Sequence, residues 1–301
     1  MSGRWLHLDV FTDRPFEGNP LGVFPRADDI EPAAMQRLAR EIGFSETTFV
    51  LEPEPGTDHR VRIFTPAREL PMAGHPTIGT TFALALEHDI DPGVVRIVLG
   101  LGVGPTPVDL QWSGDELTFA WMTQPRPVFG PTVEAVDGLA AALGVNPSAI
   151  GATSLPVQEV SCGVPFLFVP LATRGDVDRA VSDAAAERAF FERTGIAPLP
   201  IFLFSVEKAP DGATAYSRMF APTFGIAEDP ATGGASGPLG AYLIQHRVVD
   251  PGSAASMLSL QGVRMGRPSR IHIAITGEPG AITDVKVGGQ AVLVADGTFF
   301  L

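Results

Sequence analysis

Ala73-Gly74-His75-Pro76-Thr77-Ile78-Gly79 follows Phe64-Thr65-Pro66 and leads into the apolar run Phe82-Ala83-Leu84-Ala85-Leu86. Far downstream, Asp229-Pro230-Ala231-Thr232-Gly233-Gly234-Ala235 follows Phe220-Ala221-Pro222 and leads into Leu239-Gly240-Ala241-Tyr242-Leu243. Each stretch reads as a strand ending in Phe-x-Pro, a Gly-rich turn, then a helix. Phe64 and Ala73 are nine residues apart and Phe220 and Thr232 twelve, so the second turn carries three extra residues around Glu228 and Asp229. A strand–glycine–helix turn presents unpaired backbone N–H groups at the positive end of the helix dipole. Two such turns facing each other would make an anion-binding cleft between two related halves.

The rest of the chain fits around these turns. Strands are expected at Leu6 to Phe11 and Gly22 to Phe24, flanking a turn at Gly18-Asn19-Pro20. A helix is expected from Pro32 to Ile42, where proline suits the first turn and Gly43 ends the pattern. Strands at Thr47–Leu51 and Arg60–Phe64 precede the helix Pro76–His88. A meander over Val94–Leu99, Pro107–Trp112 and Leu117–Met122 follows. Met122 to Pro127 reads as an extended linker, because proline disfavours helix at itself and before itself. The domain boundary falls there, giving residues 1–124 and 125–301, with the last strand free to return to the first domain.

The second half repeats the style. Helices are expected at Val133–Leu143, Ala184–Arg193 and Ala235–His246. Strands are expected near Val157–Ser161, Phe166–Pro170, Ile201–Val206, Thr214–Phe220, Arg270–Thr276, Ile282–Val287 and Ala291–Ala295. The predicted class is α+β: two similar, pseudo-twofold-related domains, each a curled antiparallel-rich sheet around a central helix. The two central helices are apolar or small nearly all round, as a helix enclosed by a sheet must be.

Bulk properties narrow the function. At 301 residues the chain exceeds one ordinary core. A net charge of 21 − 34 = −13 opposes binding to nucleic acid or an acidic membrane. One cysteine, Cys162, excludes an internal disulfide framework and a multi-cysteine metal site. The N-terminus lacks a basic-then-apolar leader, and no apolar run reaches membrane-spanning length, so a cytoplasmic protein is expected.

Three groups carry candidate chemistry. An ordinary helix-end histidine would be exposed, but Gly74 and Pro76 imply a tight turn that holds His75 in place. The helix dipole there favours the neutral imidazole, ready to donate or accept a proton. Glu228-Asp229 sits in the matching turn, either capping the helix or facing a substrate, with only one of the pair pointing inward. Glu46 would ordinarily be solvated; in a closed apolar cleft its proton would be held toward neutral pH, suiting it to proton transfer.

Other chemistries lack their signatures. The first turn has no Gly-Lys-Ser/Thr ending, and no G-x-G-x-x-G follows an early strand. The six histidines show no metal-ligand spacing, and Gly-x-Ser-x-Gly is absent. Cys162 precedes a buried-looking strand and reads as a core residue.

With these residues assembled, the chain resembles the phenazine-biosynthesis isomerase (PhzF-like) family, relatives of diaminopimelate epimerase. The resemblance covers essentially the whole chain. It rests on Asp9-Val10-Phe11-Thr12 with Gly18-Asn19-Pro20, Ser45-Glu46-Thr47-Thr48-Phe49-Val50, Gly74-His75-Pro76-Thr77-Ile78-Gly79, Gly163-Val164-Pro165-Phe166 and Glu228-Asp229-Pro230-Ala231-Thr232-Gly233. It implies a duplicated epimerase-like fold, a site between the domains, no cofactor and often a homodimer. It also implies that Glu46 shuttles a proton between two carbons of a small carboxylate-bearing substrate, while His75 and Asp229 bind and polarise it. The epimerases place two cysteines in the Gly-rich turns. The matching positions here are Ala73 and Thr232, which excludes a two-thiol racemase. The N–H groups of Gly74, Gly233 and Gly234, beside Thr232, are then candidate carboxylate binders.

One position departs from the family. The second turn usually reads Thr-Gly-Ser-Ala, and this chain has Thr232-Gly233-Gly234-Ala235. Either Ser236 compensates for the missing hydroxyl or the preferred substrate differs. A proton-shift isomerase is the leading expectation. A carboxylate-binding protein without turnover, and a lyase or dehydratase using the same acid/base, are the alternatives.

Overall fold

In the computed structural model, which describes residues 2–252 and 257–300, the chain forms two compact units. Unit 1 holds the residues up to Gln124, Ser269–Ile271 and those from Lys286 on; unit 2 holds Pro125–Pro268 and His272–Val285. The class is α+β with two domains.

Unit 1 contains strands β1 (Ser2–Val10), β2 (Asn19–Phe24), β3 (Glu46–Leu51), β4 (His59–Phe64), β5 (Glu69–Leu70), β6 (Arg96–Leu101), β7 (Gly104–Ser113) and β8 (Glu116–Gln124), with helices α1 (Pro32–Ile42) and α2 (Gly74–Leu86). The strand Ala291–Phe300 pairs with β1, which pairs with β2. Pairs β2–β3 and β4–β6 are parallel, whereas β3–β4, β6–β7 and β7–β8 are antiparallel. Helix α2 touches β1, β2, β3 and β8, so the sheet curls around it. Every α2 residue from Gly74 to Leu84 is buried. Burying its large apolar side chains contributes about 1.5–3 kcal/mol each. On the outer face α1 packs Ala34, Met35 and Ala39 against Phe24, Phe49 and Phe64. It ends at Gly43, whose left-handed backbone donates its N–H to the carbonyl of Ala39.

Unit 2 contains β9 (Val128–Thr132), β10 (Gln158–Ser161), β11 (Pro165–Pro170), β12 (Ile201–Ser205), β13 (Ala215–Ala221), β14 (Ile226–Asp229) and β15 (Met257–Gln261). Its helices are α3 (Val136–Ala142), α4 (Pro147–Gly151), α5 (Arg174–Arg179), α6 (Ala184–Thr194) and α7 (Gly233–Gln245). Helix α7 is buried from Gly233 to Ile244 and packs in a core with Phe168, Phe202, Phe204 and Ile273. A second core joins α3, α4, α5 and α6 to Leu167, Leu203 and Phe220.

The pairing pattern is the same in both units. Strands β1 to β4 and β6 run antiparallel, parallel, antiparallel, parallel between successive members. Strands β10 to β13 and β15 do the same. In each, a short strand pairs with the fourth and the buried helix follows it. Both buried helices have 13 residues, with Ala73 and Thr232 at their N-caps. The duplication expected from the two Gly-rich turns is therefore a duplication of the whole sheet motif.

Several elements differ from expectation. The Met122–Pro127 stretch is strand through Gln124 and strand again from Val128, because only the prolines at 125 and 127 interrupt the extended chain. The turn read at Gly18-Asn19-Pro20 is already strand from Asn19 onward. Helices α4 and α5 were not expected; each is a turn or two long, too short to show periodicity, although Thr173 and Asp176 form a full capping box on α5. Strand β15 lies where no element was expected between His246 and Arg270.

Candidate active site

In unit 1 the candidate residues converge on the N-terminus of α2. Glu46 opens β3 opposite Leu21 of β2, and strand alternation puts Asn19 on the same face. That face packs on α2 at unusually close range. A Cβ on Gly79 would lie 2.5 Å from Leu21 Cδ2 and 2.6 Å from Val10 Cγ2, so only glycine permits the approach. A hydrogen bond of 2.8 Å between the hydroxyls of Thr48 and Thr80 ties β3 to the helix.

The result is a buried polar cluster. Glu46 is 8% exposed, His75 3% and Asn19 0%, unlike the solvated side chains that isolated polar residues would be. His75 Nε2 lies 3.4 Å from Glu46 Oε2, and His75 Nδ1 lies 3.2 Å from the Asn19 amide nitrogen. The Nε2 atom of His75 is buried and has no hydrogen-bond partner aligned with it. Burial lowers the His75 pKa from 6.5 to about 3. The imidazole is neutral, as its position predicts, but burial is the cause. The same burial disfavours the imidazolium at neutral pH.

In unit 2 the cluster forms at the N-terminus of α7. The Thr232 hydroxyl donates to Asp229 Oδ2 at 2.5 Å. Gln261, fully buried at the end of β15, accepts from the Thr232 N–H at 3.0 Å. Its amide donates to the Asp229 carbonyl at 2.8 Å and to the Thr232 hydroxyl oxygen at 2.9 Å. Of the acidic pair, Glu228 makes a bidentate ion pair with Arg218 at 2.8 and 2.9 Å, and Asp229 is the one that turns to the helix start.

Gly74 is the first residue of α2; Gly233 and Gly234 are the first two of α7. The N-cap residues Ala73 and Thr232 make no side-chain capping bond to their helices. The Ser236 hydroxyl donates to the Thr232 carbonyl at 3.0 Å, as Thr77 does to Ala73 at 2.7 Å. Ser236 is fully buried, with its proton on that carbonyl. The Cys162 thiol is buried and pushed up to about 12, which makes it inert. Among the described residues no group of three or more His, Cys, Asp and Glu side chains could hold a metal ion, and no helix is long and apolar enough to cross a membrane.

Sequence reading had therefore named Glu46, His75, Asp229 and Thr232 but missed two contacting residues. Asn19 was hidden in a Gly-Asn-Pro run that looks like a turn. Gln261 sits on a five-residue strand with no helical or clear alternating signal.

The sequence matches the phenazine biosynthesis-like protein family (PhzC-PhzF) over residues 8–297. It is 36% identical over 298 residues to the trans-2,3-dihydro-3-hydroxyanthranilate isomerase of Pseudomonas aeruginosa, covering 99% of both chains. It is 32% identical to an uncharacterized isomerase of Escherichia coli, covering 98% of this chain and 97% of the other. The fold is similar to the crystal structure of a Bacillus anthracis phenazine biosynthesis protein of the PhzF family, with a TM-score of 0.88, 26% identity and full coverage of both chains. A hydroxyproline epimerase from Agrobacterium vitis shares the fold at a TM-score of 0.67 and 14% identity, covering 99% of this chain and 92% of that one. The chain belongs to the PhzC-PhzF family, and within it is an isomerase-type enzyme.

Proposed function

We propose that the protein catalyses a cofactor-independent proton shift on a small carboxylate-bearing molecule, with Glu46 as the single acid/base. The Glu46 carboxylate removes a proton from one carbon, the double-bond electrons move along the substrate, and the resulting acid returns the proton to a second carbon. Atoms and charge balance without an added reactant. The neutral His75 polarises an oxygen of the substrate, and Asp229 holds a donor group. The N–H groups of Gly74, Gly233 and Gly234 take the carboxylate. The observation that carries this reading is the buried contact of Glu46 with a histidine that burial keeps neutral. A carboxylate beside a neutral donor, rather than beside an imidazolium, retains its basicity for carbon acids.

The Pseudomonas relatives suggest a cyclic, unsaturated amino acid bearing a hydroxyl as the substrate class. Gly234 in place of the family serine removes one polar contact, which favours a substrate lacking the group that serine would bind. Activity as a homodimer belongs to the same proposal and rests on the family resemblance.

Incubating such acids with the protein in deuterated water tests the reading. Isomerisation gives a product of unchanged skeleton that carries solvent deuterium at one carbon. Loss of water or of a fragment would indicate a lyase or dehydratase instead. Saturable binding with neither outcome would indicate a binding protein.

A further inference from the structure

The Gly18-Asn19-Pro20 motif has no role in the reaction just proposed, yet it delivers a fully buried amide to His75. We propose that Asn19 is a positioning residue that fixes the tautomer of His75, keeping the ring proton on Nε2 beside Glu46. This deepens the proposed function, because it defines His75 as a donor toward substrate and never a base at that atom.

The chemistry follows from the contact. The Asn19 nitrogen that faces His75 Nδ1 at 3.2 Å is an amide NH2, which can only donate. Nδ1 must therefore accept through its lone pair. A neutral imidazole carries one N–H, so the proton sits on Nε2. That Nε2–H has no aligned partner in the protein and lies 3.4 Å from Glu46 Oε2. A buried donor with no partner is costly unless a ligand completes it. The atom it awaits is an acceptor, a carbonyl or hydroxyl oxygen of the substrate.

Asn19 is itself held by backbone geometry. Gly18 has φ +66°, and a Cβ there would sit 2.3 Å from the Val10 carbonyl oxygen. The loop before it is anchored by Asp9, buried in β1, which accepts from the Phe16 N–H at 2.6 Å.

The duplicated fold contains its own comparison. Gly163-Val164-Pro165 of unit 2 occupies the place of Gly18-Asn19-Pro20, with Gly163 also at positive φ and Pro165 paired back to the preceding strand, as Pro20 is. Counting from the two N-caps, Gly234 occupies the place of His75. Where the second copy lacks the imidazole, it also lacks the amide. The two residues are absent together from the second copy, as a role of one toward the other requires.

The ring nitrogens of His75 report the proton directly. The ¹⁵N spectrum of the ligand-free protein, with His75 assigned by its loss in His75→Gln, should show Nε2 protonated and Nδ1 unprotonated at neutral pH. A protonated Nδ1 in the wild-type protein would overturn the proposal, and this arm needs no variant to fold. In Asn19→Asp the carboxylate accepts instead of donating, so Nδ1 should become protonated and substrate deuterium exchange should fall at least about tenfold. An unchanged nitrogen pattern in that variant would show that Asn19 does not set the tautomer. An inverted pattern with unchanged exchange would show that the tautomer has no part in positioning. Because the spectra are taken without substrate or turnover, they stand or fall independently of the role given to Glu46.

Discussion

The hydroxyl of Thr232 donates to the carboxylate of Asp229 at 2.5 Å, although the two belong to different elements joined by a Pro-Ala turn. Thr232 stands at the N-cap where Ala73 stands in the first copy. An N-cap threonine ordinarily bonds the helix backbone; this one turns away to hold an acid. With the Gln261 amide on its other lone pair, its proton has only one direction.

Removing that hydroxyl should therefore loosen the second turn. Thr232→Ala deletes one hydrogen bond each from Asp229 and Gln261 and should cost about 1–3 kcal/mol. Thr232→Ser should keep most of that stability. Urea unfolding of the two variants checks it.

The neighbouring acids should separate stability from activity. Glu228→Gln breaks the bidentate pair with Arg218 and should destabilise the protein by about 1.5–3 kcal/mol while preserving turnover. Asp229→Asn keeps an oxygen for the Thr232 hydroxyl but loses its charge, so it should cost only about 1 kcal/mol while reducing exchange at least about tenfold. Thermal melts and exchange assays on the same preparations compare them.

Burial of His75 predicts a pH dependence with a definite sign. Its folded pKa is about 3 and its ordinary value 6.5, so the unfolded chain binds the extra proton first. Stability from this group is full above about pH 6.5 and declines as pH falls toward 3. The slope is about 1.4 kcal/mol per pH unit. His75→Gln has no such group, so the difference in unfolding free energy between it and wild type should change only below about pH 6.5.

Two glycines should differ in their response to an added side chain. Gly79→Ala drives a methyl into Leu21 and Val10 and should cost about 1–3 kcal/mol. Gly234→Ser meets nothing nearer than the Phe166 ring at 3.8 Å and should fold within about 1 kcal/mol of wild type. It should also shift preference among candidate acids, measured as relative exchange rates.

Legibility in the sequence varied with the physics behind each element. Helix α1 was read to its residue limits because Pro32, a one-sided apolar stripe and Gly43 each leave a local signal. Helices α2 and α7 were readable through their uniform apolarity, though both begin two residues before the expected start because glycines entered the first turn. The contact of Glu46 with His75 depends on the parallel register of β2 and β3, which no local pattern encodes; each residue was readable as a candidate by itself, and the family resemblance joined them in one site. Asn19 and Gln261 were missed because their roles exist only across strands. Counting from Thr47 opposite Phe64 and Ile201 opposite Phe220, the second copy has Pro200 where the first has Glu46. The glutamate is thus not duplicated, and the repeat carries no signal for it.

The central claim is that Glu46 alone moves the proton. The most direct measurement is the rate of deuterium incorporation from solvent into a turned-over acid by Glu46→Gln, beside wild type at equal concentration and equal substrate affinity. The amide fills the same space but cannot take a proton from carbon, so exchange should fall by about 10²–10⁴-fold with binding retained. Exchange at the wild-type rate in that variant would contradict the account.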